Sequence, residues 1–371
     1  MKFSINKTEL QNALAVVQKG TSTRSTLPVL SGILIDASGD RLVFQATDLE
    51  LSIQMEVPAL IEEPGKIVVP GKLFSDIVKS LPDAAVSVSS ESAESLEARI
   101  NCDNTAFSVK TLNPVDFPGF PTVSPEKTIK IPFAVFSKMV KQVSRVVSRD
   151  ESRAILTGVL VETEGAKLRM VATDSYRLAL TEVEIDSEAY DGADDFSAVI
   201  SGTFLSDIAG LSMSEQTVSI GLSENQIIVR CDDMVFIHRR IEGQYPNYRQ
   251  LIPDSYITRA KFPVDQLTAA VRRAALMSST TAPLKFTLAA PVNLAQITVT
   301  SNDVGSVQEN IDCPIEGEEV EIAFNSSYVS DGLSTMREDE VYFEVQSSLK
   351  PGIFRSAGED NHLYLIMPVR I

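Results

Sequence analysis

Three stretches of the chain repeat one pattern. Residues 32–57 read GILIDASGDRLVFQATDLELSIQMEV, residues 158–184 GVLVETEGAKLRMVATDSYRLALTEVE and residues 284–312 LKFTLAAPVNLAQITVTSNDVGSVQENID. Each is an apolar strand, a turn, a second strand, a polar break and a third strand. A second block recurs as IVVPGKLFSDIVKSL (67–81), AVISGTFLSDIAGLS (198–212) and IAFNSSYVSDGLSTM (322–336), with Asp76, Asp207 and Asp331 in equivalent places. A third block opens each unit with a short strand and an amphipathic helix: Leu10, Ala13, Leu14 and Val17 in the first, Phe136, Met139, Val140, Val143 and Val147 in the second. Self-similarity at this period fixes architecture before any single residue is weighed. The expected fold is α+β: three similar domains, each of two strand–helix–strands halves. Pro-rich stretches at 113–125 and 244–254 read as connectors. They place the domains at 1–125, 126–253 and 254–371.

Composition narrows the class. The 371 residues carry a net charge of −17, and the hydrophobic fraction of 44% is that of a globular protein. The first ten residues hold no apolar core of signal-peptide length, and no run approaches a membrane span. Cys102, Cys231 and Cys313 are odd in number and lack metal-ligand spacing, which favours a reducing cytoplasm over a disulfide framework.

The acids concentrate in loop-like stretches, EEPGK (62–66), SESAESLE (90–97), EIDSEAYDGADD (184–195) and EGEEVE (316–321). The bases gather on helices. Lys138, Lys141, Arg145 and Arg149 are spaced to share one face of a helix expected over 133–149, opposite its apolar stripe. Arg272 and Arg273 lie in the matching helix of the third unit, Lys7, Lys19 and Arg24 in or just after that of the first, and Lys72 and Lys79 in its second helix. One such face is commonly just a solvated surface; recurrence in three repeats fits a positive concave surface and a negative exterior. With DNA as partner it predicts phosphate contacts without base readout.

No constellation supports catalysis. GKIVVPGK (65–72) has five residues between its glycines and Leu73 where a phosphate loop needs Ser or Thr. His238 and His362 belong to no metal-ligand spacing, and no G-x-S-x-G or H-E-x-x-H occurs. Asp48 and Asp174, both in A-T-D contexts, are better explained as turn caps than as a carboxylate pair. The C-terminal HLYLIMPVRI alternates as a strand through Leu363, Leu365, Met367, Val369 and Ile371, and Pro368 predicts that the last residues leave the sheet. They form a packed final strand or line an apolar groove for a partner.

The repeat, ATDSYRLAL (172–180), YPNYRQLIP (245–253) and the ending YLIMPVRI together resemble the bacterial DNA polymerase III beta subunits, the sliding clamps, over the full length. The resemblance implies a non-catalytic processivity factor without cofactor or metal. Two copies would join head to tail in a ring around double-stranded DNA, with helices lining the hole and sheets outside. A separate ATP-driven clamp loader would open the ring. It implies a subunit contact through Phe107, Leu276 and Met277, and phosphate contacts from Arg24, Lys72, Lys138, Lys141, Arg145, Arg149, Arg153 and Arg272. It implies a pocket between the second and third domains for short apolar peptides of the polymerase catalytic subunit, the loader and repair polymerases. The pocket wall would comprise Leu156, Thr173, Tyr176, Arg177, Leu178, Pro246, Leu251, Asn325, Tyr328, Ile366, Met367, Pro368 and Val369, with Arg177 and Asn325 binding polar groups of the peptide. Two departures stand out. Ala154 and Ile155 occupy places where some members carry adjacent aromatics, and Gln250 stands where a base is familiar. A rival reading is a repeat-built peptide scaffold that does not act on DNA, indifferent to Glu at Lys138, Lys141, Arg145 and Arg149. Another is an enzyme using Asp48 or Asp174, which would lose turnover but not folding on Asp→Asn.

Overall fold

The computed structural model describes residues 1–91, 96–185, 190–191, 195–212, 217–279, 282–358 and 361–370. Parts of two acidic stretches (92–95, 186–189 and 192–194), and Ile371, lie outside the described residues. The chain forms two compact units. One comprises Met1–Phe133, Tyr190–Gly192 and Leu211–Arg240; the other comprises Ala134–Ala189, Ala193–Gly210 and Ile241–Ile371.

The first unit holds helices α1 (Lys7–Val17) and α2 (Gly71–Ser80) and two antiparallel sheets. α1 begins where the Asn6 side chain accepts from Thr8 N, and it buries Leu10, Ala13, Leu14 and Val17, the periodic positions. The five-stranded sheet runs Leu60–Glu63, Lys2–Asn6, Ala85–Ser89, Glu97–Cys102, Thr105–Lys110. In the nine-stranded sheet the first repeat's meander, Gly32–Asp36, Leu42–Thr47 and Leu51–Val57, continues into the second repeat through Met234–Arg239, with Phe236 opposite Ile53.

The second unit carries α3 (Phe133–Val143), α4 (Gly202–Ala209), α5 (Val264–Ala275) and α6 (Ser326–Leu333). Its nine-stranded sheet repeats the device. The meander Gly158–Glu164, Lys167–Thr173, Arg177–Glu184 pairs through its last strand with Asn361–Ile366 of the third repeat, Leu178 opposite Leu365. The third meander, Leu284–Ala289, Leu294–Ser301 and Gly305–Asp312, joins Val320–Phe324 in a four-stranded sheet. All three repeated blocks thus become three-stranded meanders, and each Ser-Asp block becomes a strand followed by α2, α4 or α6.

Equivalent backbone bonds mark the repeats. Leu112 N donates to Val68 O (2.8 Å), Ile241 N to Val199 O (2.9 Å) and Val369 N to Ala323 O (2.9 Å). Asp48 Oδ1 accepts from Glu50 N and Leu51 N at 2.9 and 2.7 Å, and Asp174 Oδ1 from Tyr176 N and Arg177 N at 2.9 and 3.0 Å. Leu49 and Ser175 take positive φ in the same turn. Both carboxylates therefore cap turns, as their repeated context predicts. The three cysteines are buried, and burial pushes the Cys231 and Cys313 thiols up to about 12. Among the described residues no helix is long and apolar enough to cross a membrane.

α3 is shorter than its periodicity predicts. It ends at Val143, and Ser144–Val146 tighten into a 3₁₀ turn. Val143 has φ −110°, and the Arg145 carbonyl accepts from the Arg177 side chain (3.2 Å). Lys138 and Lys141 keep the exposed helix face; Arg145 and Arg149 do not extend it. Pro368 acts as expected: the strand stops at Ile366.

Candidate functional site: a cleft beside the last strand

The site is built around one arginine. Arg177 starts its strand directly after the Asp174 turn and is 9% exposed. Its Nε donates to Asp174 Oδ2 (3.0 Å), Nη1 to Asp331 Oδ2 (2.5 Å) and Tyr364 Oη (3.0 Å), and Nη2 to Arg145 O (3.2 Å). Its guanidinium also lies 4.5 Å from the Tyr328 ring centroid. Burial works against its charge; Tyr364, Asp331 and Asp174 outweigh burial and hold its pKa above the ordinary arginine value. Burial pushes the Tyr364 phenol up as well, against the pull of Arg177. The guanidinium thus spends four of its five N–H groups inside the protein. It ties the turn, the 3₁₀ segment after α3, α6 and the last strand together, and one N–H group and the face lining the cleft remain for a ligand. Asp331 and Tyr364 are the partners that sequence reasoning missed. The recurring Ser-Asp of the helix block was the available signal for Asp331.

In front of this hub lies a cleft of about 570 Å³ lined by Arg145, Arg149, Arg153, Tyr176, Tyr328 and the Asp150, Asp174 and Asp331 carboxylates, among others. Tyr176 and Tyr328 stack with centroids 6.5 Å apart and planes 27° apart. Tyr176 is 59% exposed, and its carbonyl accepts from Met367 N (2.8 Å), which brings the tail to the cleft.

The other expected wall residues differ in exposure. Pro246, Leu251, Met367 and Val369 are exposed apolar side chains, and Pro368 is half-buried. Leu156, Thr173 and Leu178 are buried. The Thr173 hydroxyl donates to Arg177 O (2.7 Å), and Leu178 packs with Leu160, Val171, Tyr248, Ile353 and Leu365. Ile366 is fully buried, and strand alternation puts it on the face opposite Leu365. The register pairs Leu365 with Leu178 and Ile366 with Arg177. Asn325 caps α6: its Oδ1 accepts from Ser327 N (2.9 Å) and Ser327 Oγ (2.7 Å), which commits that oxygen. Gln250 is exposed, as are Ala154 and, in part, Ile155.

The expected phosphate contacts Arg24, Lys72, Lys138, Lys141, Arg149 and Arg272 are all exposed. Arg273, the neighbour of Arg272, is instead held by Glu309 through two bonds of 2.7 Å. Leu276 is 82% exposed at the end of α5, with Met277 beside it half-buried. Phe107 is half-buried on Thr105–Lys110, an outer strand of its sheet, and Gly305–Asp312 is an outer strand of another. Among the described residues no group of His, Cys, Asp and Glu could hold a metal ion.

Three family models match in succession: the DNA polymerase III beta subunit N-terminal domain over residues 1–121, its central domain over 130–247 and its C-terminal domain over 249–370. Beta sliding clamps of Staphylococcus epidermidis and Staphylococcus aureus are each 30% identical over 380 residues, covering 100% of this chain and 99% of the relative. Among solved structures, the DNA polymerase sliding clamp of Bacillus subtilis superposes with a TM-score of 0.93 at 30% identity, covering 100% of this chain and 99% of that one. A sliding clamp of Pseudomonas aeruginosa bound to griselimycin gives a TM-score of 0.92 at 26% identity, covering 100% of both chains.

Proposed function

The chain belongs to the DNA polymerase III beta subunit family and has its three-domain α+β fold, and on that premise we propose that it is a non-catalytic sliding clamp. Its domains are 1–125, 126–253 and 254–371. Two copies close head to tail around duplex DNA and tether polymerases and repair proteins by short apolar peptides.

The outer strands support closure between copies. Among the described residues Thr105–Lys110 and Gly305–Asp312 each pair with one neighbouring strand, so each presents an outer edge of N–H and C=O groups. A heterologous contact that closes would cover both rows in both copies and bury Phe107, Leu276 and Met277. The exposed Lys72, Lys138, Lys141, Arg24 and Arg272 then hold phosphates at every register equally. Contacts of that kind permit sliding and give binding that weakens with salt. The overall charge of −17 disfavours DNA on other surfaces.

The observation that carries the tethering role is the exposed pair Tyr176 and Met367, joined by the Met367 N to Tyr176 O bond (2.8 Å) where the cleft lined by Tyr176, Tyr328 and Arg177 opens; the exposed Pro246, Leu251 and Val369 are read as further anchors. Aliphatic and methionine side chains there suit apolar anchors, and a fixed hub spares the site the cost of ordering itself. The test is a titration of a fluorescent peptide with a Gln-Leu-x-Leu-Phe anchor against the parent protein and a Met367→Ala, Pro368→Ala variant. Saturable binding to the parent, lost in the variant, supports the reading. No binding to a well-folded dimer refutes the pocket.

A further inference from the structure

The cleft contains more positive charge than its carboxylates match. Arg145, Arg149 and Arg153 all line it, because α3 stops before them and the following segment turns towards Tyr176 and Tyr328. That segment is fixed from within. Ser148 N donates to Leu156 O (2.8 Å), Asp150 N to Ser148 Oγ (3.1 Å) and Arg153 N to Asp150 O (3.1 Å). The guanidiniums differ in their partners. Arg177 is matched by Asp174 and Asp331, and Arg153 is paired with Asp150 at 3.1 Å. Arg145 meets the neutral Ser334 hydroxyl (3.3 Å), and neither Arg145 nor Arg149 has a carboxylate partner among the described residues.

We infer that Arg145 and Arg149 belong to the partner-peptide site rather than to the DNA face, and that they take an acidic residue flanking the apolar anchor of the bound peptide. The inference rests on the peptide-groove reading above. A guanidinium fork recognises a carboxylate through two parallel N–H···O bonds, and here two forks stand without a counter-ion. The cleft opens at Tyr176, whose carbonyl holds Met367 N, so a peptide anchored on that pair delivers its flank to these arginines. Phosphates would satisfy a guanidinium too. A nucleic-acid strand, however, carries a charge at every nucleotide and would run past Asp150, Asp174 and Asp331, which line the same cleft. One carboxylate fits between those acids; a row of phosphates is repelled by them. Charge at the edge of an apolar contact contributes selectivity and encounter rate more than raw affinity.

The test uses the intact protein, fluorescence anisotropy and three peptides on one Gln-Leu-x-Leu-Phe anchor: neutral flanks, an Asp-Asp pair before the anchor, and the same pair after it. Each is titrated against the parent, an Arg145→Gln, Arg149→Gln variant and a Lys138→Gln, Lys141→Gln variant. The expected result is that one acidic peptide binds the parent about fivefold tighter than the neutral one at low salt. That advantage shrinks at high salt, disappears in the Arg145, Arg149 variant and survives in the Lys138, Lys141 variant. Retained binding of the neutral peptide shows that the arginine variant is folded. Equal affinity for all three peptides overturns the inference but keeps the groove. An acidic advantage that survives in the arginine variant also overturns it. Failure of all three peptides to bind the parent removes the groove and the inference with it. A labelled oligothymidine that needs Arg145 and Arg149, with no acidic-peptide advantage, assigns the cleft to single-stranded nucleic acid instead.

Discussion

Replacing Arg177 by Met should loosen the second unit locally. The change strands Asp174 and Asp331, whose side chains are 14% and 37% exposed, and leaves Tyr364 Oη and Arg145 O without their donor. Removing one partner of a buried ion pair costs about 3–5 kcal/mol; because water can reach Asp331, the lower end, about 3 kcal/mol, applies. At about 1.4 kcal/mol per decade, that is a roughly hundredfold rise in the local opening constant. Hydrogen exchange followed by mass spectrometry reads it directly, as a comparable loss of protection in the Asp174 turn and in α6. Arg177→Lys keeps the charge, but its three donors radiate from one atom and cannot serve four acceptors held by four different segments. It should cost about tenfold, an intermediate effect. If the Met variant keeps α6 within about threefold of the parent, the ion pairs contribute little and the hub reading is wrong.

Other expectations follow from single contacts. Asp48→Ala removes the acceptor of two turn amides, should cost about 1 kcal/mol and should lower the melting midpoint by about 2–4 °C, whereas Asp48→Asn keeps Oδ1 and should cost less. Gly332→Ala places a Cβ 2.5 Å from Tyr364 Cδ1, on a ring that Arg177 holds in place; overpacking should cost about 1–3 kcal/mol by urea denaturation. Glu164 sits at about 2 rather than 4.5 because Arg249 and Arg169 hold its charged form, so its folded value lies below its unfolded one. Its contribution is fully present above pH 4.5 and lost as pH falls towards 2; Arg169→Met should flatten the pH dependence of stability across that window. On the proposed head-to-tail closure, Leu276→Glu should give a monomer in sedimentation velocity where the parent sediments as a dimer, while leaving the circular dichroism spectrum unchanged.

Local pattern carried most of the fold. The meanders follow from strict alternation between turn residues, and Asp48 and Asp174 announce their turns by repeating in one context. What stayed hidden was set by partners far along the chain. Valines at 143, 146 and 147 continue a helical period, so nothing nearby marks the end of α3; there the Arg145 carbonyl is taken by Arg177, 32 residues away. Alternation makes 363 and 365 share a face, but only the pairing of Leu178 with Leu365 says which cluster that face joins. For Arg177 the sequence shows a guanidinium but not the four acceptors on Asp174, Arg145, Asp331 and Tyr364 that hold it.

The joining of repeats by strand pairing also sets a timetable for synthesis. Arg177–Glu184 is complete long before its neighbour Asn361–Ile366 exists, and Arg177 waits for Tyr364, 187 residues later. Leu51–Val57 waits similarly for Met234–Arg239. At about 5–20 residues per second each nascent edge stands open for roughly 10–40 seconds. An exposed edge is a template for the wrong strand, including the same strand on the next ribosome of a polysome. Codon changes that slow translation between residues 185 and 360 should therefore lower soluble yield without altering a single side chain.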